Sequence, residues 1–292
     1  MKVYLELSKS GIVTLVLISV LGGYLIGHRF ETPLSWGGLL LTLVGVMLLA
    51  SGSSALNQLQ EVKTDAKMPR TAKRPLPSGR MSKSTALAFI VGTLLGGLAL
   101  LSKINASVCW MGVAAVIFYN GFYTMWWKRK WAFAAIPGAV PGALPIWMGY
   151  TAASGKVWAP PGIFLFLLLF FWQMPHFWVL ALKYRDDYKQ GAIPTLPVAR
   201  GEGVTVQQIL LWCFGYVALS LTAPIFLKVG ALYLAFAIPM GLKLFWELRK
   251  FVQKPASKQW LHFFLWVNFS LIIYIGAAVA DFWSTWLLPL FI

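Results

Sequence analysis

The sequence predicts an all-α membrane protein with nine transmembrane helices, and three observations carry that prediction. Of the 292 residues, 59% are hydrophobic and only 12% are charged, an apolar surplus that a water-soluble chain of this length has no core large enough to bury. The apolar residues fall into nine runs of membrane-crossing length, about 17–25 residues each. The 25 Lys and Arg greatly outnumber the 9 Asp and Glu, and they concentrate in alternate segments between the runs.

The runs cover residues 11–27, 36–56, 85–102, 104–125, 132–152, 160–182, 209–226, 229–246 and 261–280. Lys2 and Lys9 precede the first run and no small-residue cleavage site follows it, so it reads as a retained span and not a cleaved signal. The second ends in a polar stripe that begins at Asn57. Only Lys103 separates the third and fourth, which predicts a tight hairpin, and Gly96-Gly97 would permit close helix approach. The fifth carries Pro137, Pro141 and Pro145 at i, i+4, i+8, a pattern for a bent helix lining a cavity or for a packing distortion. The sixth contains His176. Lys243 stands near the inner end of the eighth, and the aromatic tail 282–292 reads as interfacial.

Twenty of the 25 Lys and Arg lie before residue 10 or within 57–84, 128–130, 183–208 and 249–258. The positive-inside rule then puts the N-terminus and these segments in the cytoplasm of a cell-membrane protein. The same distribution excludes a nucleic-acid binder, because the charge forms no soluble basic face. Cys109 and Cys213 lie inside apolar runs and make neither a disulfide framework nor a CxxC pair. No soluble domain or repeat interrupts the chain, so residues 1–292 read as one polytopic domain.

The spans carry essentially no mid-depth charge, unlike pumps and many transporters. The acids gather instead at the cytoplasmic ends. Asn57, Glu61 and Asp65 stand at i, i+4, i+8 and would share one helical face, about 6 Å apart per step. Two carboxylates and an amide form an all-oxygen set suited to Mg2+. Beyond them run Lys63, Lys67, Arg70, Lys73, Arg74, Arg80 and Lys83, which suit a polyanion. A solvated helix end with positive-inside charge explains the basic residues well and the carboxylate stripe less well. The second acidic place, Lys183-Tyr184-Arg185-Asp186-Asp187-Tyr188-Lys189, follows the sixth span, and Tyr123 with Lys128-Arg129-Lys130 follows the fourth. All three lie on one side of the membrane.

That arrangement fits departure of an allylic diphosphate. Carboxylate-bound Mg2+ and Lys/Arg hydrogen bonds would stabilise the leaving group, and an apolar bundle would keep water from the cation. Aromatic faces could stabilise that cation, but with 15 Trp no single ring stands out. His176 could meet a polar head group, a haem propionate or an iron, or serve as a structural histidine. His28 and His262 read as span-end residues.

At these residues the chain resembles the UbiA superfamily of intramembrane prenyltransferases and, within it, is similar to the haem O synthases. Asn57-x-x-x-Glu61-x-x-x-Asp65 matches the first acidic motif, continued by Met68, Arg70, Thr71, Arg74, Pro75, Leu76 and Gly79-Arg80. Trp172, Gln173, Pro175, His176 and Phe177, followed by Tyr184, Arg185, Asp187 and Tyr188, match the haem O synthase pattern where other members carry Asp-x-x-x-Asp. The resemblance implies a UbiA-type bundle of nine helices around a central, lipid-open cavity. It implies Mg2+ held by Asn57, Glu61, Asp65 and Asp187. Diphosphate would be bound by Arg70, Arg74, Lys128, Arg129, Lys183, Arg185, Tyr123, Tyr184 and Tyr188, and the acceptor by His176, Gln173 and Trp172. The implied substrates are farnesyl diphosphate and haem B, with haem-processing proteins as partners. Three departures stand out. Glu61 replaces an Asp, Lys9-Ser10-Gly11 replaces Lys-Pro-Arg, and Trp131-Ala132-Phe133-Ala134 replaces Thr-Pro-Gln-Asn. They leave open a different acceptor, a quinone precursor or a chlorophyll-like tetrapyrrole, and more remotely a non-catalytic haem binder or transporter.

Overall fold

The computed structural model of the chain describes residues 2–253 and 258–287. Every regular element among them is helical. Among the described residues, eight stretches are long and apolar enough to cross a membrane: α2 Ser10–Gly27, α3 Trp36–Gln60, α5 Lys83–Ser102, the continuous stretch Ala106–Lys130, α9 Pro160–Lys183, α12 Gly201–Leu221, α14 Ala231–Gln253 and the body of α15 Gln259–Leu287. The stretch Ala106–Lys130 consists of α6 Ala106–Val116, a π-helical segment Ile117–Trp127 and α7 Lys128–Lys130. A further helix, α8 Ala135–Ser154, has 20 residues. It is richer in Gly and Pro because its surroundings are protein: most of its length is buried, including Pro141 and Pro145. Short helices lie at the ends: α1 Lys2–Leu7, α4 Val62–Asp65, α10 Arg185–Gln190, α11 Leu196–Ala199 and α13 Ala223–Phe226.

Small residues bring the central helices together. A Cβ on Gly23 or Gly27 of α2 would strike the α8 backbone at Ile146 and Tyr150, and one on Gly149 would strike Val20 of α2. Backbone contact of this closeness gives helices in lipid their packing energy, because tails and side chains are equally apolar. The turn between α5 and α6 is the tight hairpin the sequence predicts, with Asn105 capping α6 through Val108 N at 2.8 Å.

Several boundaries differ from the sequence reading. α3 continues four residues past 56 into the polar stripe. α12 begins at Gly201, whose φ of +82° lets the chain reverse after α11. α14 extends to Gln253, and its N-terminus is capped from another helix: Asp281 of α15 accepts from Gly230 N and Tyr233 N at 2.6 and 2.8 Å. α15 runs on through Asp281 to Leu287, so the first part of the aromatic tail is helical; residues 288–292 lie outside the described residues. Buried Asp281 and buried Glu247, the latter bonded to Lys243 at 2.7 Å, are acids away from the two expected places. Each is satisfied locally.

Candidate active site

The polar stripe closes α3. Asn57, Glu61 and Asp65 are all buried, at 2%, 4% and 1% exposure. The helix breaks at Glu61 (φ −106°, ψ 8°), but the i, i+4 backbone bonds Glu61 N to Asn57 O and Asp65 N to Glu61 O persist at 3.0 and 2.7 Å. The break therefore leaves the three side chains in register.

Each stripe residue faces a basic group. Lys9 Nζ donates to Asn57 Oδ1 at 2.9 Å. Lys128 Nζ donates to both Glu61 oxygens at 2.6 and 2.8 Å. Arg74 Nη1 donates to Asp65 Oδ2 at 2.7 Å, while Thr71 Oγ1 fixes the loop by donating to Asp65 O at 2.8 Å. Burial alone would raise the Glu61 carboxyl pKa. The Lys128 charge and hydrogen bond, with Lys9 and Asn57, outweigh it and hold the carboxyl below its ordinary value. Burial, and then the charges of Arg74 and Lys128, push the Lys9 ammonium down to about 7 against the pull of Glu61 and Asp65.

The π-helical segment supplies the opposite wall. Ser53 Oγ bonds Asn120 Oδ1 at 2.5 Å, Asn57 Nδ2 bonds Thr124 Oγ1 at 3.0 Å, and Lys128 bonds Glu61. These are three rungs, each joining residues 67 positions apart. A constant offset means that α3 and Ala106–Lys130 run in the same direction. Thr124 Oγ1 also donates to Tyr119 O, five residues back, at 2.8 Å. Such wide turns are concentrated at functional sites.

The second acidic place meets the first. Arg70 lies 4.7 Å above the Tyr184 ring and 3.9 Å from Asp187 Oδ2, and Met68 packs under Gly191. Asp187 is half-buried whereas Asp186 is exposed. Tyr188 lies near Tyr123, which stacks on Tyr119 with centroids 6.0 Å apart.

Other expected residues are placed differently. Lys183 sits 5.1 Å over the Trp260 ring, Arg185 is exposed, and exposed Arg129 reaches the Gln60 carbonyl at 3.4 Å. Gln173 is buried and donates to Ala139 O and Leu169 O at 3.0 and 3.2 Å, joining α9 to α8. Trp172 Nε1 donates to Val267 O at 2.8 Å. His176 lies among Trp172, Phe264 and Phe177, with centroids at 4.7, 5.0 and 5.5 Å. Its Nδ1 is buried without a hydrogen-bond partner.

Sequence reasoning missed Lys9, Asn120 and Thr124 as members of the site. A signal for the last two existed: Asn120, Thr124 and Lys128 repeat the four-residue spacing of Ser53, Asn57 and Glu61. Lys9, 48 positions from Asn57, carried one as the retained lysine of the Lys-Pro-Arg pattern.

The donors are all oxygen, which suits a hard cation such as Mg2+. Among the described residues no three acidic, His or Cys side chains gather into one cluster. That fits the usual Mg2+ arrangement of one or two carboxylates completed by phosphate oxygens and water.

The sequence profile of the UbiA prenyltransferase family matches residues 16–290. The chain belongs to the UbiA prenyltransferase family. As a family member it is a prenyltransferase embedded in a membrane. It is 44% identical over 284 residues to a protein named protoheme IX farnesyltransferase from Bdellovibrio bacteriovorus, covering 97% of both chains. A protein of the same name from Aquifex aeolicus is 40% identical over 285 residues, covering 96% of this chain and 95% of that one. The fold is that of solved relatives: a digeranylgeranylglyceryl phosphate synthase superposes with TM-score 0.78 at 21% identity, covering 96% and 97% of the two chains. A UbiA homolog from Archaeoglobus fulgidus, solved with DMAPP and Mg2+, gives 0.68 at 16% identity, covering 96% and 98%.

Proposed function

We propose that this prenyltransferase moves the farnesyl group of farnesyl diphosphate onto a vinyl group of haem B, giving haem O, in a Mg2+-dependent reaction. The end-to-end match to relatives named protoheme IX farnesyltransferase, at 44% identity over 97% of both chains, carries the choice of acceptor. The meeting of the two acidic loops at Arg70 and Asp187 supports the choice of leaving group.

Asn57, Glu61, Asp65 and Asp187 are the residues that would hold Mg2+, whose charge when bound offsets that of the diphosphate oxygens. Arg70, Arg74 and Lys128 donate to the diphosphate as negative charge grows on it, the stage at which fixed donors lower a barrier most. Tyr123, Tyr184 and Tyr188 orient its oxygens, and Arg129, Lys183 and Arg185 draw the anion in electrostatically. The allylic carbon–oxygen bond breaks, diphosphate leaves, and the vinyl carbon of haem attacks the farnesyl cation. Water adds to the resulting benzylic-like cation, giving the hydroxyethylfarnesyl group after proton loss. A central apolar cavity holds the isoprenoid chain and excludes water until that last step. His176, with its unpaired Nδ1, takes a polar group of the acceptor, and Trp172 and Gln173 fix the helix that presents it.

The chain forms one domain over residues 1–292 and crosses the cell membrane nine times, α8 included, with its N-terminus and catalytic mouth in the cytoplasm. The parallel run of α3 and Ala106–Lys130 supports an even number of crossings from one to the other, and the cationic alternate segments support the orientation. Haem-processing proteins are the expected partners for delivering the acceptor and removing the product. Purified protein with Mg2+, farnesyl diphosphate and haem B should yield a farnesylated haem by mass spectrometry. Turnover of a quinone precursor with haem left unchanged would overturn the acceptor assignment.

A further inference from the structure

We propose that the acceptor lies in the seam between α9 and α15, where Lys183 meets one of the haem carboxylates. The inference rests on the acceptor reading given above and concerns where that molecule sits. Two rows of side chains face each other across the seam. Trp172, His176 and Lys183 fall within about 40° of one another around α9, and Trp260, Phe264 and Asn268 follow at i, i+4, i+8 on α15. Lys183 lies over the Trp260 ring at 5.1 Å. His176 lies against Phe264 at 5.0 Å and beside the Asn268 amide, and Trp172 Nε1 closes the deep end on Val267 O. The α15 row differs from its neighbours. Phe263, Val267 and Ser270 are fully buried, whereas Trp260, Phe264 and Asn268 are only half-buried, so helix packing leaves this face incompletely closed.

Packing alone would let Lys183 lay its stem along an indole, but it would not strand a polar atom. His176 Nδ1 is buried with no hydrogen-bond partner, a state that costs free energy until a ligand supplies one. Asn268 Nδ2 donates to Phe264 O at 2.6 Å, which leaves Oδ1 as the amide atom to meet His176. An aromatic slot with a few placed polar groups suits a flat, largely apolar acceptor.

Lys183 gives the slot its charged end. It is exposed at the last residue of α9 and pairs with no carboxylate among the described residues. From His176 to Lys183 the helix rises about 10 Å, so one rigid ligand can touch both. The next residue, Tyr184, faces Arg70, and the slot therefore opens beside the place of the leaving group. At longer range the Lys183 charge still favours the diphosphate; its contact is with the acceptor, through a charge-assisted hydrogen bond.

The test titrates the full-length protein in detergent with haem B and with its dimethyl ester, which lacks the free carboxylates, following the Soret absorbance. Lys183→Met should weaken haem binding about tenfold and leave the ester within about twofold of wild type. Its melting temperature should not change, because Lys183 is exposed. Asn268→Leu should weaken both ligands about tenfold. Unchanged haem affinity in Lys183→Met, or equal losses for haem and ester, would overturn the carboxylate contact. Wild-type affinity for both ligands in Asn268→Leu would overturn the seam. A loss in Lys183→Met of affinity for the unreactive farnesyl S-thiolodiphosphate, with haem binding intact, would return Lys183 to the diphosphate. Failure of the wild type itself to bind haem would instead remove the acceptor reading, and the seam with it.

Discussion

Lys128 donates to both carboxylate oxygens of Glu61, at 2.6 and 2.8 Å, across 67 positions of sequence. The pair fixes the end of the π-helical segment against the end of α3 and sets the width of the polar site between them. Both side chains are largely enclosed, so neither can turn to bulk water if the other is lost.

Removing one partner should therefore cost more than removing both. Lys128→Met alone should destabilise the protein by about 3 kcal/mol, the range for stranding a buried charge. Glu61→Gln combined with Lys128→Met should restore much of that stability while leaving prenyl transfer impaired. Thermal unfolding in detergent and a double-mutant cycle give the coupling. Strictly additive effects would show that the pair does not act as a unit.

Asp65 should separate chemistry from folding. Asp65→Asn keeps the size and an acceptor for Arg74, so the chain should stay folded while farnesyl transfer falls about 100- to 1000-fold, the scale for loss of one electrostatic contributor. Chelating Mg2+ from wild type should give the same phenotype, reversed on adding the cation back. Unchanged transfer in the variant would remove Asp65 from the metal-binding set.

The two neighbouring aspartates after α9 should behave differently. Asp187 is half-buried and drawn toward Arg70 at 3.9 Å, while Asp186 is exposed. Asp187→Asn should reduce kcat at least about tenfold, and Asp186→Asn should stay within about twofold of wild type. Equal losses in steady-state assays would mean that the loop, and not one carboxylate, is what matters.

Acid should weaken the fold through Glu61. Its carboxyl is held below the ordinary 4.5 because Lys128, Lys9 and Asn57 outweigh burial. A carboxyl whose folded pKa lies below its unfolded one stabilises fully above the unfolded value, and that stability disappears as pH falls through the folded value. Melting temperature followed downward from about pH 6 should drop more steeply below about pH 4.5 in wild type than in Glu61→Gln. Parallel curves would show that Glu61 gains nothing from its partners.

The helical class, the hairpin at Lys103 and the membership of the acidic stripe were legible because each rests on local spacing: long apolar runs, a single charged residue between two of them, and four-residue periodicity. Helix ends were less legible where a distant residue decides them. Asp281 caps α14 from α15, and no pattern near Gly230 announces it. The same holds in the site. Arg74 lies nine residues from Asp65 within the same motif, whereas Lys9 reaches Asn57 across 48 positions, from a segment whose preceding helix α1 is held by Gln58 Nε2 on Glu6 O and Leu7 O. Gln173 shows the converse. Its place in a motif suggests a contact to the acceptor, and its Nε2 also ties α9 to α8 by donating to the carbonyls of Ala139 and Leu169.

The three rungs between α3 with its cap Glu61 and the stretch Ala106–Lys130 have a mechanical consequence. Equal offsets mean that sliding or rolling one helix by a single residue would break Ser53–Asn120, Asn57–Thr124 and Glu61–Lys128 together, with no partial misalignment that keeps two of the three. That side of the mouth behaves as a fixed jaw. The facing contact, Arg70 on Tyr184 and Asp187, is longer, partly wet and held by side chains alone. Any motion that widens the mouth without unfolding the bundle therefore parts Arg70 from Tyr184 and Asp187 before it parts the three rungs.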